Sequence, residues 1–364
     1  MNVHQKIGDR KLTLQRLQMI ETREGMLLKR GRAVVKIKGA ESSQIVQALL
    51  AIASEGPATR QELCEPFPAE LRPSVEQLID ALEVRRLLTD AEHVDDPLGT
   101  EEPIDVFFWH FEKRTDQVCR AFEKTRITIV GVNRVSRQLV GALVESGVQS
   151  VDVLDYPLLN NVRMLDDNGQ VKRDYWPASL GQPRSHRDWF ELTQGRGAGC
   201  LVVTSDFGGQ HLLRDWNRHC VRERIPFLPV VLQDLVGRIG PLVVPGEGSC
   251  LECLRARENS HIDDPETHRA AEHGAYEGQV ITAFHPSMAS VLGDIAAMEL
   301  LKLYGQFMRS RLVGRMIEVN LIVPELTERR VLKLPRCSVC GVGQSRSPVS
   351  INKVAFMPGH EVAR

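Results

Sequence analysis

Residues 126–156 read RITIVGVNRVSRQLVGALVESGVQSVDVLDY. The run RITIVG is a continuous apolar strand, RVSRQLVGALVESG carries apolar residues at helical spacing and stops at Gly147, and VQSVDVLDY is a second strand reaching Asp155. Strand, helix and strand in this order form a βαβ unit, which requires parallel strands. Downstream, GCLVVTSD ends a further strand at Asp206, HLLRDWNRHCVRER reads as a helix, and PFLPVVL as another buried strand. The alternation predicts an open α/β fold with a mostly parallel, Rossmann-type sheet.

The turn after the first strand of such a sheet is where a glycine-rich loop lets backbone N–H groups approach phosphates. Here it reads Gly131-Val132-Asn133-Arg134-Val135-Ser136, so only the first glycine of a Gly-x-Gly-x-x-Gly pattern is present. Asn133 and Ser136 would crowd a pyrophosphate, while Arg134 offers a compensating charge. Asp155 stands where related sheets hold a ribose hydroxyl, with Asn160, Asn161 and Arg163 just beyond it, and Asp206 ends a strand at the carboxyl edge where ligands gather. An Arg and an Asp there can hold a phosphate and a magnesium ion. Both aspartates can equally serve as helix caps.

Upstream, residues 17–38 divide into the short strands LQMIET, GMLLKR and AVVKIKG, predicting a three-stranded antiparallel unit. Three helical segments follow: QIVQALLAIA capped by Ser42-Ser43, RQELC capped by Thr59, and RPSVEQLIDALEVRRLL with Val75, Leu78, Leu82 and Leu87 at helical spacing. The order suggests a winged-helix-like module. It can be a structural cap, a DNA reader or a strand-edge peptide site; the last helix mixes Arg72, Arg85 and Arg86 with Glu76, Asp80 and Glu83, which argues against groove reading. The acidic, proline-containing stretch TDAEHVDDPLGTEEPID (89–105) reads as a linker. The expected domains are therefore 1–90, a connection over 91–119, and 120–364.

Eight cysteines occur, four of them as the pairs Cys250/Cys253 and Cys337/Cys340. Two Cys-x-x-Cys pairs complete a tetrahedral Cys₄ shell with no open position, the pattern of a structural Zn²⁺ that ties the chain's end to its α/β core. Between them, a polar segment holds His261, His268 and His273, read as a solvated loop. The following SMASVLGDIAAMELLKLYG is an apolar helix whose small residues Ala289, Gly293, Ala296 and Ala297 suit close packing in a core or a dimer seam.

Composition sets outer limits. With 364 residues, 42% hydrophobic and 26% charged content, the chain is a packed globular protein of about two domains. A net charge of −1 excludes a bulk positive field of the kind that coats nucleic acid, and no apolar run reaches membrane-spanning or signal-peptide form. A reducing, cytoplasmic location is expected.

The order of these pieces resembles the ubiquitin-activating/ThiF superfamily: ITIVG, then VDVLDYPLLNNVR, then SDFGGQHLLRDWNRHCVRERIPFLPV with Asp206 and Asn217, and the two cysteine pairs. That resemblance implies a ThiF-like fold and places Gly131, Asp155, Asn161, Arg163 and Asp206 around ATP and Mg²⁺, with Asp206 and Arg163 the catalytic candidates for carboxylate adenylation. A narrower resemblance covers nearly the whole chain. GPLVVPGEGSCLECLRAR and the later VLKLPRCSVCG look like the ThiF-like branch of ribosomal peptide natural-product biosynthesis, whose members carry an N-terminal winged-helix peptide-recognition domain like residues 15–90. In that branch the glycine loop is often lost, the protein binds the leader of a precursor peptide, and a separate YcaO-type cyclodehydratase closes azoline rings. The resemblance implies a non-catalytic partner subunit, often a homodimer. The leader would add as a strand beside Val34, Val35 and Ile37, against the helix bearing Leu78, Ile79 and Leu82. The alternative implied activity is an ATP-dependent enzyme that adenylates a carboxylate of its bound precursor.

Overall fold

The computed structural model describes residues 10–39, 42–91, 101–149, 151–193, 198–264, 266–268, 270, 282–323 and 325–341. Two compact units divide the chain between His110 and Phe111.

In the first unit, β1 (Lys11–Leu14) is followed by β2 (Gln18–Thr22), β3 (Gly25–Arg30) and β4 (Ala33–Lys38). β2, β3 and β4 form an antiparallel meander in that order, as the sequence reading of 17–38 expects. Gly31, in the left-handed region at φ +53, makes the turn between β3 and β4. Helices α1 (Ser42–Glu55), α2 (Arg60–Cys64) and α3 (Arg72–Val84) follow, with β5 (Ala58–Thr59) before α2 and β6 (Leu88–Asp90) after α3. Thr59 does cap α2, its side chain accepting the Glu62 N–H. α1 begins at Ser42 itself rather than after Ser43, and the Ser42 hydroxyl donates back to the Gly39 carbonyl at 2.6 Å. The sequence reading lacks the small sheet β5-β1-β6, because strands of two to four residues carry too few positions for an alternation to register. Leu28, Leu49, Leu63, Val75, Ile79 and Leu82 fill the unit's core.

Helix α4 (Pro103–Trp109) closes the first unit. Buried Arg30 pairs with Glu101 and lies over the Trp109 ring, 4.7 Å from its centroid. The described part of the acidic stretch is thus attached to β3, while 92–100 lie outside the described residues.

The second unit opens with α5 (Thr115–Glu123) and is built on one sheet. Its strands are β7 (Ile127–Val130), β8 (Asp152–Asp155), β9 (Arg184–Ser185), β10 (Cys200–Ser205), β11 (Phe227–Gln233), β12 (Val236–Ile239), β13 (Arg315–Asn320) and β14 (Glu325–Arg330). Their order is β14-β13-β12-β11-β10-β7-β8-β9, parallel from β11 to β9 and antiparallel from β11 to β14. Helices α6 (Arg134–Glu145), α7 (His186–Thr193), α8 (Gln210–Glu223), α9 (Leu251–Asn259) and α10 (Pro286–Tyr304) complete it. β7 and β10 are buried along their whole length because helices cover both faces. Alternate residues serve the two sides: Leu201 and Val203 pack with Leu212, Leu213 and Trp216 of α8, while Cys200 reaches Tyr304 of α10.

α10 packs along α6, and Gly293 is the point of closest approach. A Cβ there would lie 2.8 Å from the Gln138 Cβ and 2.9 Å from the Leu139 nitrogen. Ala289, Ala296 and Ala297 are buried on the same helix, so its small-residue face is core. No helix among the described residues is long and apolar enough to cross a membrane.

The chain runs from β7 outward to β8 and later returns to β10 on the other side of β7. This is a topological switch point, and the carboxyl ends of β7 and β10 open on it together.

Candidate functional site

The switch point brings Gly131, Asp155, Asn161 and Asp206 to one edge. Gly131 follows β7 at φ +98, and a Cβ there would sit 2.9 Å from the Thr204 carbonyl and 3.1 Å from the Leu159 Cβ. Only glycine fits both the angle and the space.

Asn133 is fully buried where a pyrophosphate-binding loop would have its second glycine. Its Nδ2 donates to the Thr204 hydroxyl at 3.0 Å and carbonyl at 3.1 Å, and its Oδ1 accepts the Ser136 N–H at 3.0 Å. Ser136 Oγ accepts the Asn133 N–H at 2.9 Å, completing a reciprocal cap on α6. The neighbouring donors are engaged too. The Gly131 N–H goes to the Leu154 carbonyl at 3.0 Å, that of Val132 to Asn160 Oδ1 at 2.8 Å, and that of Arg134 to Asp206 Oδ2 at 3.0 Å. From 131 to 136, every N–H except that of Val135 is held by one of these protein acceptors. A phosphate would have to displace Asn160, Ser136 and Asp206 to be bound as a glycine loop binds it, so this turn does not fit one.

Asp206 is 1% exposed, and burial pushes its carboxyl above the usual range, opposed by the hydrogen bonds from Arg134 and Asn161. Asn161 Nδ2 donates to Oδ2 at 2.8 Å, whereas Oδ1 is buried with no partner among the described residues. An unpartnered, buried carboxylate oxygen of this kind suits a cation. Asp155 accepts from Asn160 Nδ2 through Oδ1. Arg163 stands apart: its side chain is exposed, and its backbone N–H caps onto Asn161 Oδ1 at 3.0 Å. The Arg134 guanidinium lies over Tyr175, 5.7 Å from the ring centroid.

Reading the sequence for a phosphate cradle misses Asn133 and Asn160 as clamps of this turn. The visible signal is Asn133-x-x-Ser136, a capping-box spacing at the head of a helix.

The four paired cysteines converge. Their sulfurs all lie within 4.8 Å of one another, with Cys250 to Cys337 at 3.6 Å and Cys253 to Cys340 at 3.5 Å. Four sulfurs about 2.3 Å from one ion form a tetrahedron with edges of roughly 3.8 Å, so the set fits a metal such as zinc. The backbone is shaped for it. Leu334 and Val339 direct N–H groups at Cys253 Sγ and Cys337 Sγ, both at 3.4 Å, as donors that steady thiolates. Asn217 of α8 accepts the Leu251 N–H at 3.2 Å, at the head of the helix that Cys250 precedes. A Cβ on Gly341 would lie 2.5 Å from the Cys337 carbonyl, so the knuckle closes only on glycine. Cys64, Cys119, Cys200 and Cys220 are buried free thiols.

Beside the β10 end, a cavity of about 510 Å³ is lined by Phe207, Gln210, Gln233, Arg238, Arg255 and Glu258, among others. His268 also lines it and His261 is exposed, whereas His273 lies outside the described residues. Among the described residues only the four cysteines converge in metal-binding geometry.

MccB of E. coli, solved with MccA-N7isoAsn and also with ATP, superposes with a TM-score of 0.62 at 15% identity, covering 91% of this chain and 99% of MccB in each case. The chain has the MccB fold. That is the ThiF-like fold of ubiquitin-activating proteins. A heterocyclase solved with substrate and cofactor matches 91% of this chain and 40% of its own, at TM-score 0.54 and 18% identity. In sequence, Protein HesA of Leptolyngbya boryana is 30% identical over 141 residues, 39% of this chain and 43% of HesA. The chain thus spans less than half of that curated relative. No family model matches the sequence.

Proposed function

We propose that this chain binds the leader of a ribosomally made precursor peptide through its N-terminal unit and presents it to a separate YcaO-type cyclodehydratase for azoline formation, without itself activating a carboxylate. The observation that carries this reading is the occupied turn. Its N–H groups are held by Leu154, Asn160, Ser136, Asp206 and Asn133, so a nucleotide finds no cradle. A Rossmann-type sheet with that edge closed serves as a scaffold, and the four-cysteine site acts as its structural zinc clamp.

In this reading residues 1–90 are a winged-helix-like recognition domain, 91–119 a connection and 120–364 the ThiF-like domain. β4 has a strand neighbour on one side only among the described residues, so its other edge can take an extended peptide as a further strand. Val34 and Ile37 are half-buried beside that edge, whereas Val35, Leu78, Ile79 and Leu82 belong to the buried core and would support the groove from beneath. MccB was solved with its peptide MccA, and the heterocyclase with its substrate, which supports a peptide as the ligand. Tethering the leader raises the effective concentration of the core peptide at the partner enzyme.

The second reading, an ATP-dependent ThiF-like enzyme that adenylates a carboxylate of the bound precursor, is favoured by one observation: Asp206 Oδ1, buried and without a partner among the described residues. Asp155 and Arg163 would complete its site. Calorimetric titration of the intact protein with the precursor encoded nearest its gene, and separately with ATP and Mg²⁺, tests the choice. The scaffold reading expects heat from the peptide, none from ATP, and no peptide-dependent pyrophosphate. Pyrophosphate release on adding peptide overturns it in favour of the enzyme.

A further inference from the structure

β4 runs on from β3 through the two-residue turn Gly31-Arg32, so Arg30 and Ala33 face each other as the pair that closes the hairpin. Such a pair exchanges both backbone bonds, and the pattern repeats at every second residue. Ala33, Val35 and Ile37 therefore spend their N–H and C=O groups on β3, and Gly39 continues the phase by donating to the Glu24 carbonyl at 2.9 Å. Val34, Lys36 and Lys38 aim theirs at the bare edge. One of these groups is already engaged: Arg85, the first residue past α3, donates from its guanidinium to the Val34 carbonyl at 3.2 Å. Arg85 is exposed, whereas the adjacent Arg86 is anchored on the Trp109 carbonyl at 2.7 Å.

Cross-strand partners share a face, which fixes what an added strand would meet. Val35 and Ile37 stand opposite Leu28 and Met26, both buried in the unit's core, so that face of the edge is apolar. Val34, Lys36 and Lys38 belong to the other face. Lys36 and Lys38 are exposed there and leave it cationic, with Lys38 holding Glu24 at 3.0 Å.

We propose that this edge selects a leader whose side chains alternate between apolar and carboxylate, and that Arg85 reads the charge, an assignment that rests on leader binding by the N-terminal unit. An added strand has the same two-residue period as β4. Its apolar residues lie along Val35 and Ile37, and its carboxylates fall on the side of Lys36 and Lys38, where opposite charges across a ladder stabilise it. Arg85 makes the choice strict. In the free chain its guanidinium blunts the edge by covering the Val34 carbonyl. A peptide N–H that takes this carbonyl displaces the guanidinium, and a carboxylate of the peptide then gives it a stronger, charge-assisted acceptor than the one it lost. A neutral peptide offers no such exchange, and a basic one adds repulsion. Main-chain pairing alone is blind to sequence; the displaced arginine turns it into a test for acidity.

Fluorescence anisotropy on the full chain tests this with three labelled peptide probes that alternate Val with Glu, Val with Gln or Val with Lys. The Val/Glu probe should bind about tenfold tighter than Val/Gln at low salt, Val/Lys should bind weakest, and the gap should narrow as salt is raised. Arg85→Lys should keep the preference and Arg85→Gln should lose most of it. The double variant Lys36→Glu, Arg85→Glu should favour Val/Lys, an inversion that a mere loss of folding cannot produce. Equal binding of the three probes, an order untouched by Arg85→Gln, or no binding of any probe would each overturn the proposal. Lys36→Pro separates charge selection from leader binding as such, since it removes an N–H of the bare edge and leaves the bonds to β3. If calorimetry detects the precursor and Lys36→Pro abolishes that binding at an unchanged melting temperature, strand addition at β4 stands even where charge selection has failed. If the precursor binds Lys36→Pro as it binds the wild type, or binds neither, leader binding at this edge falls and the charge selection with it.

Discussion

Asn133 and Ser136 hold each other's backbone: Asn133 Oδ1 accepts the Ser136 N–H at 3.0 Å, and Ser136 Oγ accepts the Asn133 N–H at 2.9 Å. Two donors at the head of α6 are thereby spent inside the protein, at the place where this class of fold otherwise offers them to phosphate.

Asn133→Ala should therefore cost stability without opening a nucleotide site. It removes the cap and leaves the buried Thr204 carbonyl short of a donor, a loss of about 2–3 kcal/mol. Differential scanning fluorimetry should show a fall of roughly 5 °C or more, with ATP still giving no calorimetric signal.

Asp206 makes a pH-dependent prediction. Its folded-state carboxyl titrates above the unfolded value, so the folded state binds the proton more tightly, and stability falls as pH rises through that interval. Asp206→Asn abolishes the penalty of a buried charge while Asn Oδ1 keeps the acceptor for Arg134 and Asn161. The variant should gain on the order of 1 kcal/mol at neutral pH, and the gain should vanish below the ordinary aspartate range. Urea titrations across pH check both the sign and the window.

The cysteine site predicts one zinc per chain by elemental analysis. Burial pushes the Cys250 thiol well up and Cys340 up to about 11, so without a cation these sulfurs keep their protons. Binding a metal releases them, and affinity should drop steeply as pH is lowered. Cys337→Ser should lose the metal and lower the melting temperature. Unchanged zinc content in that variant would remove the Cys₄ assignment.

Gly293 and Gly141 offer a paired test of helix packing. Gly293→Val drives a branched side chain into the Gln138 Cβ and the α6 backbone, and should cost about 3 kcal/mol in urea denaturation. Gly141, on α6, has nothing within 4 Å of an added Cβ and no positive φ, so Gly141→Ala should instead stabilise by about 0.5–1 kcal/mol.

Much of this architecture was legible in the chain alone. RITIVG and GCLVVTSD are apolar throughout because their strands are covered on both faces, and that pattern needs no partner to be seen. The two Cys-x-x-Cys pairs declare a tetrahedral site by spacing, and the short strands of 17–38 declare a meander by their turns. Local chemistry of this kind is written within a few residues.

What the tertiary structure alone decided is the meaning of polar residues that meet across the fold. Asn160 stands 28 positions from Val132 and Asp206 stands 72 from Arg134, yet each closes an N–H of the same turn, because β8 and β10 flank β7 and bring their carboxyl ends together. The sequence determined that a glycine loop had been altered. Only the strand order could decide that the altered loop is filled by the protein's own side chains, since a hydrogen bond depends on distance in space and direction, not on separation along the chain.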